Sequence, residues 1–121
     1  MSVRARPYHV YDAVVEYFEV YDDTIMLPSS HQGGLLRACY CYILQHGLCM
    51  HCDDIAEALG WQHANGVYYA TKSLISGKYD HDPRLCGMSG VDACRIICNQ
   101  IAHRHDGVRC LGPVYGHTPI N

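Results

Sequence analysis

The chain has 121 residues, of which 49% are hydrophobic and 17% charged, and its formal net charge is −3. This composition excludes a disordered tail, and the length predicts one domain, too small for a multidomain enzyme. Its nine Lys and Arg residues against twelve Asp and Glu argue against a strong non-specific nucleic-acid binder, because such proteins usually carry a basic stripe.

The eight cysteines indicate reduced thiols rather than a disulfide framework. Most of them fall at helix-core positions. The first ten residues contain no apolar run that could act as a signal peptide, and no segment approaches membrane-spanning length. We therefore expect a cytoplasmic protein without a membrane partner.

Hydrophobic spacing predicts five helices and almost no strand. The first covers residues 9–21 and has an acidic outer side. A polar loop over residues 28–34 follows it. The second helix runs from about residue 35 to residue 46, with Gly47 as the expected C-terminal cap.

The third helix begins at Cys52 or Asp53 and ends near Leu59, and the fourth covers about 63–76. Gly60 marks the turn between them. Two helices joined by a short Gly-containing turn are typical of a helix-turn-helix, whose second helix enters a DNA major groove. The alternative is an ordinary corner between two helices in a small helical domain.

The fifth helix is predicted over about residues 90–105, and Ser89 begins it in a capping-box-like pattern. We expect residues 1–107 to form one helical domain. Residues 108–121 contain Gly and Pro at intervals and are predicted to be an irregular tail.

Four groups of residues follow one another in the order of a known family. They are Glu16, Tyr17, Phe18, Val20, Asp23 and Ile25; Arg37, Tyr42 and Ile43; Asp54, Ile55, Ala56, Leu59 and Gly60; and Val67, Ala70 and Lys72. Residues 15–76 thereby resemble, without an obvious gap, the C-terminal DNA-binding domain of the bacterial replication initiator DnaA. The resemblance implies an all-α, Trp-repressor-like domain with a central helix-turn-helix, to which this chain adds the fifth helix at about residues 90–105.

The resemblance also implies a non-enzymatic double-stranded DNA-binding domain that acts in replication initiation, replication control or transcription regulation. Arg37 and Lys72 stand at positions suited to phosphate contact. No G-x-x-x-x-G-K-[ST] motif occurs in the chain, so we expect no ATPase part of that type and no cofactor. The standalone form suggests a gene carried by a phage or another mobile element.

The chain departs from the family at the expected DNA contacts. The family motif Arg-Asp-His-Thr/Ser-Thr is replaced over residues 62–66, and residues 28–34, the counterpart of a basic loop, contain no Lys or Arg. The alternative function is therefore a protein-interaction adaptor, in which a helix-turn-helix scaffold that has lost its DNA contacts binds a replication or transcription protein.

Gln62, His63 and Asn65 are the candidate base contacts, because this architecture reads bases from the N-terminal end of the second helix. Asn65 could instead cap that helix, and His63 could be a solvated turn residue. Tyr68 and Tyr69 cannot both face the core, and we take Tyr69 as the candidate phosphate contact. Arg37, Lys72 and the tyrosine also have a plain alternative role as surface residues.

Gly66 lies in the first turn of the fourth helix, where glycine costs roughly 1 kcal/mol of helix propensity. Close approach of a partner's backbone would offset that cost; the alternative is that this glycine marks decay of the site.

His46, Cys49, His51 and Cys52 have a spacing compatible with zinc, although structural zinc sites usually take a second ligand pair from a distant segment. A zinc-stabilised module is thus a third alternative. No motif singles out a Cys–His pair for catalysis, so we expect no enzymatic activity.

Overall fold

The computed structural model describes residues 3–20, 33–109 and 111. These residues form five α-helices and one two-stranded sheet, which confirms the all-α class. The helices are α1 (Pro7–Phe18), α2 (Gly34–His46), α3 (Cys52–Leu59), α4 (Asn65–Ile75) and α5 (Gly90–Arg104), and a short 3₁₀ helix (Pro83–Leu85) precedes α5.

Helix α2 is the centre of the molecule, since it contacts each of the other four helices. The apolar spacing of its sequence predicts a buried stripe of Leu36, Cys39, Tyr40, Ile43 and Leu44. All five are buried, and further residues are buried beside them. The buried set is Leu35, Leu36, Ala38, Cys39, Tyr40, Cys41, Ile43 and Leu44. A helix that is apolar on most of its circumference belongs in a core, and the other helices therefore pack around this one.

Helix α1 begins and ends earlier than the predicted 9–21. Pro7 stands at its first position, where a missing N–H is harmless because that group has no partner within the helix. Glu19 ends the helix with a left-handed φ of 55°. Tyr21 and most of the polar loop, residues 28–32, lie outside the described residues.

Helices α3 and α4 have the predicted bounds to within two residues. The apolar spacing of α3 predicts a stripe of Ile55, Ala58 and Leu59. Ile55 is buried, but Ala56 is buried in place of Ala58, which is exposed, so the prediction for Ala58 is wrong. In α4 the hydroxyl of the buried Thr71 donates to the carbonyl of Val67 over 3.1 Å. The polar group is thereby satisfied within the helix, which lets this face pack on the core.

Helix α5 begins where its sequence predicts. Ser89 Oγ accepts a hydrogen bond from the backbone N–H of Asp92 (3.1 Å), and Asp80 Oδ1 accepts one from that of Gly90 (3.0 Å). These oxygens satisfy N–H groups that have no partner within the helix. A Cβ on Gly90 would lie 2.5 Å from Leu74 Cδ1, so this glycine permits the close approach of α4 and α5.

Helix α5 ends at Arg104, one residue before the predicted end, because His105 begins a strand. Strand β1 (Val3–Arg4) pairs in parallel with β2 (His105–Asp106). The N–H of Ala5 extends the pairing by donating to the carbonyl of Asp106 over 2.8 Å. The sequence shows no sign of this sheet, since two residues are too few for an alternating pattern.

The rings of His9 and His105 stack beside this sheet, with their centroids 3.9 Å apart and their planes at 23°. His9 Nδ1 accepts a hydrogen bond from the backbone N–H of Arg6 over 2.9 Å. The beginning of α1 is thus held against the end of α5. Most of the predicted tail, residues 112–121, lies outside the described residues.

None of the seven described cysteines forms a disulfide, and four of them, Cys39, Cys41, Cys94 and Cys98, are buried. Burial raises the pKa of Cys41 to about 12, which keeps this thiol protonated and unreactive. Across residues 3–20, 33–109 and 111, no helix is long and apolar enough to cross a membrane.

Candidate nucleic-acid interface

The turn between α3 and α4 presents two of the candidate base contacts to solvent. Gly60 ends α3 in the left-handed conformation, with φ at 73°, and the N–H of Trp61 donates to the carbonyl of Ala56 over 2.8 Å. This bond fixes the start of the turn. Gln62 and His63 follow and are both exposed.

Helix α4 begins at Asn65, and Ala64 occupies the capping position without any side-chain hydrogen bond. The alternative that Asn65 caps the helix is therefore wrong. Asn65 lies within the first turn, and its side chain is exposed. An amide in this position is available to pair with a partner such as adenine.

Gly66 is explained by a contact within the chain. A Cβ at this position would lie 3.0 Å from Trp61 Cε3 and 3.3 Å from Trp61 Cζ3. The indole ring of Trp61 thus packs directly on the first turn of α4. The glycine accommodates this ring, so its helix-propensity cost needs no partner backbone to offset it.

A cleft of about 730 Å³ opens between the beginning of α2 and the beginning of α4. We call it the α2–α4 cleft. Its lining residues come from α2, from the α3–α4 turn, from α4 and from the segment after α4. They are Gly34, Arg37, Gly60, Trp61, Gln62, His63, Asn65, Gly66, Tyr69, Ala70, Ser73, Lys78 and Tyr79.

The α2–α4 cleft brings together five of the six predicted contact residues. They are Arg37, Gln62, His63, Asn65 and Tyr69. The sixth, Lys72, does not line the cleft: its Nζ lies 5.8 Å from the ring centroid of Tyr68 on another side of α4. Tyr68 and Tyr69 are both exposed, and only Tyr69 lines the cleft.

Sequence reasoning missed three residues of the cleft: Trp61, Lys78 and Tyr79. A Cβ on Gly34 would lie 3.1 Å from the hydroxyl oxygen of Tyr79, so this ring packs on the first turn of α2. Lys78 Nζ lies 5.6 Å from the centroid of the same ring. The only sequence feature that could have pointed to Lys78 and Tyr79 is their adjacency, a cation next to an aromatic residue directly after Gly77.

Among its described lining residues, the α2–α4 cleft contains two cations and a histidine but no carboxylate. Burial lowers the pKa of Arg37, because its guanidinium is partly withdrawn from water. In a chain with net charge −3, a cleft whose described lining carries cations and no acidic group favours an anionic ligand.

No protein-family model, curated protein or solved structure matches this chain. The resemblance to replication initiators therefore remains a prediction based on the residues that carry it. The site must be judged on its own geometry.

The four residues of the zinc alternative do not converge. In the described part of the chain, no three His, Cys, Asp or Glu side chains are placed so that they could hold a metal ion. His46 instead lies beside Tyr42, with ring centroids 4.4 Å apart, and burial lowers its pKa. The zinc alternative thus gains no support from these residues.

A second groove, of about 480 Å³, lies between α1 and the end of α5. It combines His9 and His105 with the carboxylates Asp12 and Glu16 and the guanidinium of Arg104. Its mixed charge distinguishes it from the α2–α4 cleft and makes it a poor match for a polyanion.

Proposed function

We propose that the protein is a non-enzymatic DNA-binding domain of the helix-turn-helix type, in which α4 enters the major groove of a duplex. The observation that carries this proposal is the convergence of five of the six predicted contact residues on one cleft whose described lining residues include no carboxylate. Such an arrangement suits a polyanion.

The residues divide by the kind of contact that their chemistry allows. Gln62, His63 and Asn65, at the N-terminal end of α4, are the candidates for base contact, since amides pair with adenine and imidazole can donate to guanine. Arg37 and Lys72 are the candidates for phosphate contact. We also propose that the helix-turn-helix is of the initiator type and that the protein acts in replication or transcription.

Fluorescence anisotropy with a random pool of labelled duplexes at low salt tests the proposal. We expect weak binding, with a salt slope of about one unit per neutralised phosphate. Lys72→Glu should weaken binding. Arg104→Glu is the matched control: it makes the same charge change at the exposed end of α5, which lines the other groove.

Binding that both substitutions weaken equally would indicate a response to net charge rather than a site on α4. The absence of binding to any duplex, together with identical behaviour of wild type and Lys72→Glu, would overturn the proposal. If binding is observed, the bound sequences would be selected from the random pool. A defined sequence motif among them would identify the DNA target.

The adaptor remains the second candidate, and one observation favours it. The outer side of α4 exposes 59% of Ile75 and 53% of Tyr68, where a DNA-reading helix would more usually carry polar side chains. A replication or transcription protein captured after nuclease treatment, and lost on Ile75→Asp substitution, would support the adaptor over the DNA-binding domain.

A further inference from the structure

Duplex binding assigns no role to Trp61 and Tyr79, two of the aromatic residues in the α2–α4 cleft. Trp61, Tyr69 and Tyr79 all line it. An intact duplex presents base edges in its grooves and hides the base faces in the stack. A nucleotide whose base is unpaired offers an aromatic face together with a phosphate, and aromatic side chains bind such faces.

Two of the three rings pack directly on glycines in the first turns of neighbouring helices. The Trp61 ring packs on Gly66, and the Tyr79 ring packs on Gly34. Tyr69 is 62% exposed and offers its ring to solvent. Rings that are fixed before binding lose little conformational freedom when a ligand arrives, and base stacking on aromatic side chains adds to the affinity.

The two cations of the α2–α4 cleft lie among these rings. Arg37 comes from the first turn of α2, and Lys78 from the segment after α4, so they approach from separate elements. The volume of about 730 Å³ lies within the range of about 300–1,000 Å³ typical of small-ligand sites. A phosphate is the anion that accompanies an aromatic base.

We propose that the α2–α4 cleft binds a nucleotide with an unpaired base, the base against the aromatic rings and the phosphate at Arg37 and Lys78. The ligand is either a free nucleotide or one nucleotide of a single strand. This inference goes beyond duplex binding because it does not require α4 to enter a groove. Since Gln62, His63 and Asn65 line the same cleft, nucleotide and duplex should compete.

The chain contains a single tryptophan, so its intrinsic fluorescence reports from the α2–α4 cleft itself. We would titrate the protein with dAMP, with dTMP and with a single-stranded oligo-dT, and use inorganic phosphate and deoxyadenosine to separate the two halves of the ligand. Because the bases absorb light and lower the fluorescence signal, titration calorimetry on the same samples would measure binding independently. Saturable binding of the mononucleotides would identify a free nucleotide, and saturable binding of the oligonucleotide alone would identify a strand.

Lys78→Gln should weaken nucleotide binding about tenfold, or about 1.4 kcal/mol, because it removes a charge-assisted hydrogen bond to the phosphate. Arg104→Gln is the matched control, since it removes one positive charge at an exposed position that lines the other groove, and it should leave nucleotide binding unchanged. Both side chains are exposed, and thermal unfolding would verify that both variants fold.

The proposal is overturned if neither mononucleotides nor the single strand bind saturably, or if the Lys78→Gln and Arg104→Gln variants bind nucleotide equally well. Duplex binding that is lost on Lys72→Glu substitution would survive either result. The failure of this inference is therefore distinguishable from the failure of the DNA-binding proposal.

Discussion

The indole ring of Trp61 packs on Gly66, so the effect of a substitution at Gly66 should depend on whether the ring is present. Gly66→Ala gains up to about 1 kcal/mol of helix propensity, but the new Cβ would lie 3.0 Å from the indole. Forcing additional atoms into a packed contact costs about 1–3 kcal/mol. We expect Gly66→Ala to lower the free energy of unfolding by about 1 kcal/mol, measured by urea denaturation.

Trp61→Ala provides the control for this contact. In its background the indole is absent, so Gly66→Ala should stabilise the protein through helix propensity alone. The coupling between the two substitutions should exceed about 0.5 kcal/mol, as found for residues in contact. If Gly66→Ala has the same effect in both backgrounds, the packing explanation of the glycine is wrong.

At the scale of the elements, the start of α5 has the most clearly defined capping. Ser89→Ala removes the oxygen that accepts from the N–H of Asp92 and should lower the free energy of unfolding by about 1 kcal/mol. Ser76→Ala is a suitable control. Ser76 is an exposed serine at the C-terminal end of α4, and its hydroxyl donates to the carbonyl of Ser73 instead of accepting from a helix N–H. A control that is destabilised as much as Ser89→Ala would contradict this role.

The elements differ in how far they could be predicted from sequence. The bounds of α2, α3 and α5 follow from apolar spacing with clear breakers or a capping serine, and they agree with the structure to within one residue. The end of α1 could not be predicted from spacing, because apolar residues continue beyond Glu19, where the backbone turns left-handed. Local patterns do not report such a backbone conformation when the residue is not glycine.

The residues proposed for the candidate site came from the start of one helix and, for Arg37, from the resemblance; residues that only the packing of separate elements brings to the cleft were not identified. Gln62, His63 and Asn65 could be identified from their place at the start of one helix. Lys78 and Tyr79 reach the same cleft from the segment after α4, because that segment returns to the beginning of α2. Their contribution depends on how three elements pack, which no periodicity encodes.

At the scale of the whole molecule, the histidines make stability depend on pH. The pKa of His9 is lowered from its ordinary 6.5 by burial first and then by His105 and Arg6, while Asp12 opposes the shift. Burial and Arg109 lower the pKa of His46 as well. Below about pH 6.5 the unfolded chain therefore binds more protons than the folded one, and acid favours unfolding.

We expect the free energy of unfolding to be constant near pH 7.5 and to fall as the pH decreases from about 6.5 through the lower folded pKa values. Thermal denaturation at several pH values measures this. His9→Gln should flatten the decline, whereas His81→Gln, a substitution at an exposed position, should leave it unchanged. A midpoint that rises between pH 7 and pH 5.5 would contradict the assignment.

The small parallel sheet has a consequence for how the molecule forms. Val3 pairs with His105, so this contact closes a loop of about 100 residues, and the entropy of closure must be overcome before the pairing stabilises anything. The sheet should therefore be absent from the folding transition state. Ala5→Gly beside it should accelerate unfolding and leave the folding rate unchanged in a chevron analysis, whereas Ile43→Val in α2 should slow folding. The last contact made would then be the first one lost.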